Sequence, residues 1–314
     1  MPVANIHEVM QAASREIPRN VVVTKRGTPE EGYSRFPGIS GTAGSSGVIR
    51  LGDLVPRVPE EGTRMVSQPA GEEESLAAAL ARSSRFLQAG ARFIPIDTAP
   101  VANATEGAIP LWSRAGSFTV VNGASFSAAD ELNPLVASSL PVSSEQINID
   151  LMESYGVRFE LSRRTQKDMT GAELNARLVN AITFGIARAV DNIALDTLAA
   201  KLLEAGGGAA MPTYSLSAAA SKGLRFRELA AIIGTSGAGA TVTDGILRVS
   251  GTPAELTGEH SGTFIGAFDR AAVAVMDDVR VLVERLDVNG AMAVTCWLDA
   301  MALVPDPGFF WSVE

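Results

Sequence analysis

The sequence predicts an α+β fold, on three observations. Apolar residues at near-helical spacing run from 171 to 205. Strict two-residue alternation precedes them over 147–162, and a β-like, proline-punctuated stretch fills 91–146. Helical and strand periodicities thus sit side by side in one chain.

Residues 1–72 carry seven Pro and nine Gly, with little clean periodicity. Gly38–Gly47 is turn and loop chemistry, and only Val21–Thr24 and Val48–Leu51 suggest local strands. Such a segment is poorly equipped to build its own core. It is expected either as a flexible terminus or as a structured piece lying on a partner. Residues 73–90 change character: Glu72–Glu74 precede Leu76, Leu80 and Leu87, and Gly90 follows. Acidic residues at the start and glycine at the end predict one helix of about four turns.

Over 91–146, Ala91–Asp97 and Ser117–Val121 predict strands, and Pro95, Pro100, Pro110, Pro134 and Pro141 interrupt the rest. The pattern is a long excursion, a hairpin with too little apolar content to stand alone. In 147–162, Ile147, Ile149 and Leu151, then Val157, Phe159 and Leu161, alternate with polar residues, predicting strands with one buried face.

Thr170-Gly-Ala-Glu173 fits a capping box at the head of the long helix. Leu174, Leu178, Ile182, Ile186, Val190, Ile193, Leu198 and Leu202 form its stripe, and Gly206–Gly208 end it. Val179, Phe184 and Leu195 add apolar positions off the stripe, so the helix needs cover on more than one side. Beyond it, 207–285 mixes glycine-rich loops with a short helix expected over Leu224–Ile233. Strands are expected at Ile246–Val249, Thr263–Ala267, Val273–Met276 and Val279–Val283. Residues 291–304 form a long apolar strand, and Pro305–Trp311 follows.

Composition excludes more than it assigns. The chain has 314 residues, 46% hydrophobic and 19% charged, with a net charge of −9, one Cys and two His. The acidic balance argues against a broad nucleic-acid-gripping surface, and one Cys excludes an intrachain disulfide framework. Neither a secretory signal nor a run of about 18 apolar residues is apparent, so no membrane partner is expected.

Candidate chemistry stays isolated. Gly234-Thr-Ser-Gly-Ala-Gly239 follows an expected helix, whereas a dinucleotide loop follows a strand and opens a helix. His7 and His260 are each expected at the surface, and Cys296 is expected as a buried core thiol. Glu30/Glu31, Glu60/Glu61 and Asp277/Asp278 are adjacent pairs, which do not face one another on a helix or strand. Asn103-Ala-Thr105 matches a glycosylation pattern without a secretory route. No catalytic, cofactor-binding or metal-binding residue is assigned, and no cofactor is expected.

The order of segments resembles the major capsid proteins of tailed bacteriophages, of the Hong Kong 97 type. Val157–Met169 leads a strand through Ser162 and Asp168 into a helix whose segment Leu178–Leu195 is similar to that family's spine, with an acidic residue near Asp191. Thr105-Glu-Gly-Ala-Ile-Pro110 resembles its extended loop. Asn289, the long strand and Pro305–Phe310 resemble its closing strand and tail.

The resemblance implies an N-terminal arm (1–72), a helix leading into the peripheral domain (73–90) and an extended β-hairpin loop (91–146). It further implies a peripheral domain with the spine helix (147–206), an axial domain (207–285), a returning peripheral strand (286–304) and a tail (305–314). Pentamers and hexamers of the chain would form an icosahedral shell around double-stranded DNA, within a virion assembled in a bacterial cytoplasm. Expected partners are a separate scaffolding protein, a portal protein and decoration proteins. A basic residue often found late in the closing strand is replaced here by Asp299. The lysines are Lys25, Lys167, Lys201 and Lys222, none within 91–146, so a loop-derived lysine cross-link is not expected. The alternatives are an encapsulin-type cellular compartment, a non-viral β-rich binding or adhesion protein and, least supported, an enzyme.

A proline at Ile186, in the middle of the long helix, is expected to cost about 3 kcal/mol or more and to unfold the subunit. Circular dichroism of Ile186→Pro checks this; a native spectrum and melting point contradict it.

Overall fold

The structure, a computed structural model, describes the backbone of 44–50 and residues 76–96, 116–124, 126, 138–276, 278–286 and 290–313. In chain order these form β1 (Gly44–Arg50), α1 (Leu76–Ser83), α2 (Arg85–Gln88), β2 (Arg92–Ile96), β3 (Ser117–Val121), β4 (Val142–Gln146), β5 (Glu153–Leu161), α3 (Arg163–Lys167), α4 (Gly171–Ala205) and α5 (Leu216–Ser221). Then follow β6 (Ala230–Ile233), β7 (Ala240–Thr243), β8 (Ile246–Val249), β9 (Thr252–Leu256), β10 (Thr263–Gly266), β11 (Ala272–Met276), β12 (Asp278–Arg285), β13 (Met292–Leu303) and β14 (Phe310–Val313). The fold class is α+β, as the sequence predicts. The elements divide between two compact units.

The first unit holds β1, residues 154–183 and residues 277–298. β12 lies between β1 and the first half of β13, antiparallel to both, and β5 also pairs with β13. Gly156 of β5 lies where a Cβ would come within 2.9 Å of the Trp297 ring, so a side chain there would force the strand off its neighbour. Ser162 ends β5 and caps α3, its Oγ accepting from Thr165 N at 3.1 Å. Thr170 then caps α4, its Oγ1 accepting from Glu173 N at 3.2 Å. The Glu173 carboxylate pairs with Arg177 one turn on. Leu174, Leu178, Val179 and Ile182 are buried along this part of the helix.

The second unit holds residues 77–153, 184–276 and 299–314. Here the last residues of β13 run antiparallel to β11, and β11 runs parallel to β2. A second sheet has the order β14-β10-β6-β9-β8-β7, with a core of Leu229, Ala231, Ile233, Val249, Ile265 and Trp311. Phe268 meets both Phe86 and Phe310 edge to face, with 5.4 Å between ring centres in each contact. Gly266 permits the last contact, because a Cβ there would lie 2.2 Å from the Phe310 ring. Ile186, Val190, Ile193, Leu195, Leu198 and Leu202 of α4 are buried. α4 is long and apolar enough to cross a membrane by length and composition. Yet 61% of that stretch is buried inside the chain, as in a core helix.

Several expectations need correction. The single helix over 73–90 is two helices, broken at Ser84. The Ser84 side chain caps α2 by accepting from Leu87 N at 3.2 Å and donates to Asp191 Oδ1 at 2.6 Å. Leu224–Ile233 is not a helix: after a 3₁₀ turn at 226–228 it enters β6, whose alternate pairing with β9 and β10 outweighs local helix preference. Ile149–Leu151 is a 3₁₀ turn, capped by Asn148, and not a strand. On β5, Val157 is 38% exposed, not buried. Gly44–Gly47, expected as loop, is strand, because antiparallel pairing with β12 needs only backbone groups. The strands of Ala91–Asp97, Ser117–Val121, Ile246–Val249 and 291–304 appear within a residue or so of their expected bounds.

The sharpest local feature is Asp191, buried mid-helix. It accepts from Ser84 Oγ, from Arg85 N at 2.9 Å and from Phe86 N at 2.9 Å. Removing one partner of such a buried set costs about 1–3 kcal/mol, so Ser84→Ala and Asp191→Asn are each expected to lose that much in denaturant unfolding. Burial pushes the Asp191 carboxyl above the usual range, against the opposing pull of Ser84, the two amides and the Arg85 charge. A folded value above the unfolded one makes this group's stability contribution greatest in acid. The contribution is lost as pH rises through the folded value. The gap between wild type and Asp191→Asn should therefore narrow as pH rises above about 4; a gap that widens contradicts this.

Candidate functional site

Alternation along β3 and β4 gives the hairpin two different faces. Phe118 and Val120 of β3, with Ile147 just past β4, pack on Ile94, Ile96, Ala272, Ala274 and Leu303. The other face turns Val121 and Val142 outward, directly opposite one another in the ladder. Leu140 lies two residues before Val142, and Phe126 lies beyond Val121. Val121 is 64% exposed, Leu140 77% and Phe126 99%. Val121 and Val142 are neighbours across the ladder, and adjacent exposed apolar side chains, unlike scattered single ones, suit an interaction surface.

Two polar knots tie this hairpin down, one near each end of its ladder. In the first, Glu145 Oε2 of β4 accepts from Lys201 Nζ of α4 at 2.6 Å and from Val304 N at 2.7 Å. Lys201 Nζ also donates to Val304 O at 3.0 Å. In the second, Asn122, just after β3, accepts from the Arg270 guanidinium and donates to Asp306 at 3.2 Å. The Arg270 guanidinium itself lies over the Phe309 ring, 3.9 Å from its centre. The hairpin is thus hydrogen-bonded at both ends of its ladder and leaves Val121, Val142 and Leu140 exposed on one side. That combination can seat on another surface.

The residues weighed for chemistry lie apart. His260 is a correction: it is not a free surface side chain. Its Nδ1 accepts from Gly262 N at 2.8 Å and its ring lies against Phe264, 5.1 Å between centres. The loop 234–239 follows strand β6, not a helix, and opens strand β7. Its first glycine has a packing reason: a Cβ on Gly234 would lie 2.4 Å from the carbonyl oxygens of His260 and Gly262. Thr235 N and Ser236 N donate to His260 O and Ser261 O, so these amides cradle backbone and not a phosphate.

Cys296 is buried in β13, and desolvation pushes its thiol up to about 12, which fits the expected core role. Lys167 lies in α3, Lys222 lies over Phe309 at 5.6 Å from the ring centre, and Asp299 lies in β13. His7, Lys25, Glu30, Glu31, Glu60, Glu61, Asn103–Pro110, Asp277 and Asn289 lie outside the described residues, as does the side chain of Asp278. Among the described residues, no group of three metal-ligating side chains converges.

Sequence reasoning named Asp191 only through a resemblance and missed Ser84, Asn122, Glu145, Lys201 and Arg270. A serine followed by a fresh four-residue apolar–polar turn was a readable sign of the break at Ser84. Partners separated by 56, 107, 148 and 159 residues leave no local pattern.

Lys201→Met is expected to cost about 1–3 kcal/mol, because it leaves the half-buried Glu145 with one donor fewer. Phe126→Asp with Leu140→Asp should leave the melting transition within the usual surface range of about ±0.5 kcal/mol while reducing self-association in sedimentation. Self-association unchanged by the double variant removes the hairpin edge as a contact surface.

No family model matches the chain, and no curated protein does. Its fold is similar to that of the satellite phage P4 procapsid, at 13% identity over 75% of this chain and 96% of that one, with a TM-score of 0.42. It is similar to a structure of Mycobacterium phage Cain, at 12% identity over 83% and 95%, TM-score 0.42. It is also similar to a virus-like particle from Pyrococcus furiosus, at 10% identity over 76% and 96%, TM-score 0.39.

Proposed function

We propose that the chain is a shell-forming structural protein, a major capsid protein of the Hong Kong 97 type from a tailed bacteriophage. On this reading it assembles as pentamers and hexamers around double-stranded DNA. The observation that carries the reading is the rooted hairpin with its apolar edge, in the region where the sequence resemblance expects an extended loop. A side chain such as Phe126, 99% exposed in the single chain, has an energetic reason to be covered, and an extended loop lying on a neighbouring copy covers it.

The passage from β5 through Ser162 and α3 into a 35-residue helix supports the same reading, since that order is what the resemblance rests on. The net charge of −9 suits a container wall that holds a polyanion without adhering to it. Segments 1–72 and 91–146 act as the arm and extended loop, 147–206 with 286–304 as the peripheral domain, and 207–285 as the axial domain. The chain works without a cofactor or catalytic residue, in the virion, after assembly in the host cytoplasm with scaffolding, portal and decoration proteins.

Negative-stain microscopy and light scattering of the purified full chain test this directly. Shells or ring-shaped capsomers are expected, and a monodisperse monomer overturns the proposal. Small shells that enclose protein cargo in place of DNA would favour the encapsulin reading. Deleting residues 1–43, which stops short of β1, should leave the subunit folded and impair particle formation, whereas a longer cut removes a strand paired with β12. Boiled particles should run as monomer on a denaturing gel, since no lysine lies in 91–146; a covalent ladder contradicts the absence of loop-derived cross-links.

A further inference from the structure

The six-stranded sheet of the second unit is finished differently at its two ends. At one end β14 is covered. Ser312 N donates to Pro212 O at 2.8 Å, Tyr214 N donates to Ser312 O at 2.9 Å, and Thr213 bridges to Ser312 in parallel. At the other end β7 pairs with β8 alone among the described residues. All four of its residues, Ala240-Thr-Val-Thr243, are exposed. They include neither a charge nor a proline, the side chains that commonly keep an open edge from pairing with another chain.

The turn after β7 decides which backbone groups face outward. Asp244 and Gly245 both have positive φ, 53° and 75°, as in a two-residue type I′ hairpin turn. Such a turn makes its flanking residues, Thr243 and Ile246, the first hydrogen-bonded pair of the ladder. Alternation then turns the backbone groups of Thr241 toward β8 and leaves the N–H and C=O of Val242 pointing away from the sheet. The Val242 side chain is equally unpartnered. It lies opposite Leu247, which with Val249 packs in the core of this sheet. That apolar face runs on to β7, where Val242 is 72% exposed.

The geometry points to a second copy of the chain as the occupant of this edge: β7 pairs antiparallel with the partner's β7, Val242 opposite Val242. In that register each Val242 exchanges both backbone hydrogen bonds with its counterpart, and the two valine side chains cover one another. On the other face Thr241 and Thr243 of one copy lie opposite Thr243 and Thr241 of the other, a favourable cross-strand pairing. The strand is complementary to itself, as a contact about a two-fold axis requires, and none of the residues 240–243 sets a charge against its like. Four residues bury too little for a stable dimer by themselves. The pair is therefore transient in dilute solution and adds to the other contacts that two copies make. It is separate from the β3–β4 hairpin contact and does not require a shell: microscopy reads the shell, and cross-linking reads this pair.

Disulfide trapping in the full-length chain tests it, since the one native thiol, Cys296, is buried. Cα atoms of a hydrogen-bonded antiparallel pair lie about 5.5 Å apart, within disulfide reach. Val242→Cys is expected to give a linked dimer on a non-reducing gel after mild oxidation. Ile246→Cys, exposed but on β8, is expected to lack that band. A mixture of Thr241→Cys and Thr243→Cys chains should link to each other, and Val242→Lys added to both should abolish the link by setting like charges face to face. No dimer from Val242→Cys, or an equal yield from Ile246→Cys, overturns the inference, as does a link that survives Val242→Lys. A Val242→Cys chain that links to a Val22→Cys chain in place of itself gives the edge to the 21–24 strand expected from sequence, and overturns the inference too.

Discussion

A carboxylate buried in the middle of a long helix sets the geometry of the second unit. Asp191 takes three hydrogen bonds from three consecutive residues, Ser84, Arg85 and Phe86. These donors cluster at the extended Ser84 backbone where α1 stops and α2 starts. In α2, Phe86 meets Phe268, which meets Phe310 in turn. A few residues on, Arg92 N donates to Ala271 O at 3.0 Å and β2 begins its parallel pairing with β11. A sheet register and an aromatic core thus trace back to one side chain whose charge is costly to bury and therefore tightly partnered.

The hairpin shows the complementary arrangement. Its polar contacts through Glu145, Lys201, Asn122 and Arg270 are at least partly shielded from water and worth more than exposed pairs. One face of its ladder, with Phe118 and Val120, packs in the core, whereas Val121, Val142 and Leu140 face water, where within one chain they contribute little to stability.

How much of this was legible in sequence depended on range. α4 was readable to the residue at both ends, because Thr170 caps it, its stripe is continuous and Gly206 follows. β13 was readable because twelve largely apolar residues in a row outlast any loop. β6 was misread as helix because Ala-Ala-Ile-Ile carries no local sign of the two strands that flank it. Ile149–Leu151 was misread because alternation over three residues is satisfied equally by a capped turn. His260 was misread because its polar neighbours suggest a surface loop, while its burial comes from Phe264 and from the close approach of Gly234. The acidic centre at Asp191 was visible only through family resemblance, and the knots at Glu145 and Asn122 were not visible at all.

The sheet orders also fix a sequence of events during synthesis. β13 is the strand on which β11 and β12 both pair, and β14 closes the edge of β10. Both come after β10, β11 and β12 in chain order. A chain that has emerged only as far as β12 therefore carries two unfinished sheets, with β10, β11 and β12 each lacking a neighbour. The β3–β4 hairpin waits as well, since it packs on Leu303 and is tied to Val304 and Asp306. Any fragment that stops before β13 thus lacks the native arrangement of both sheets, by topology alone.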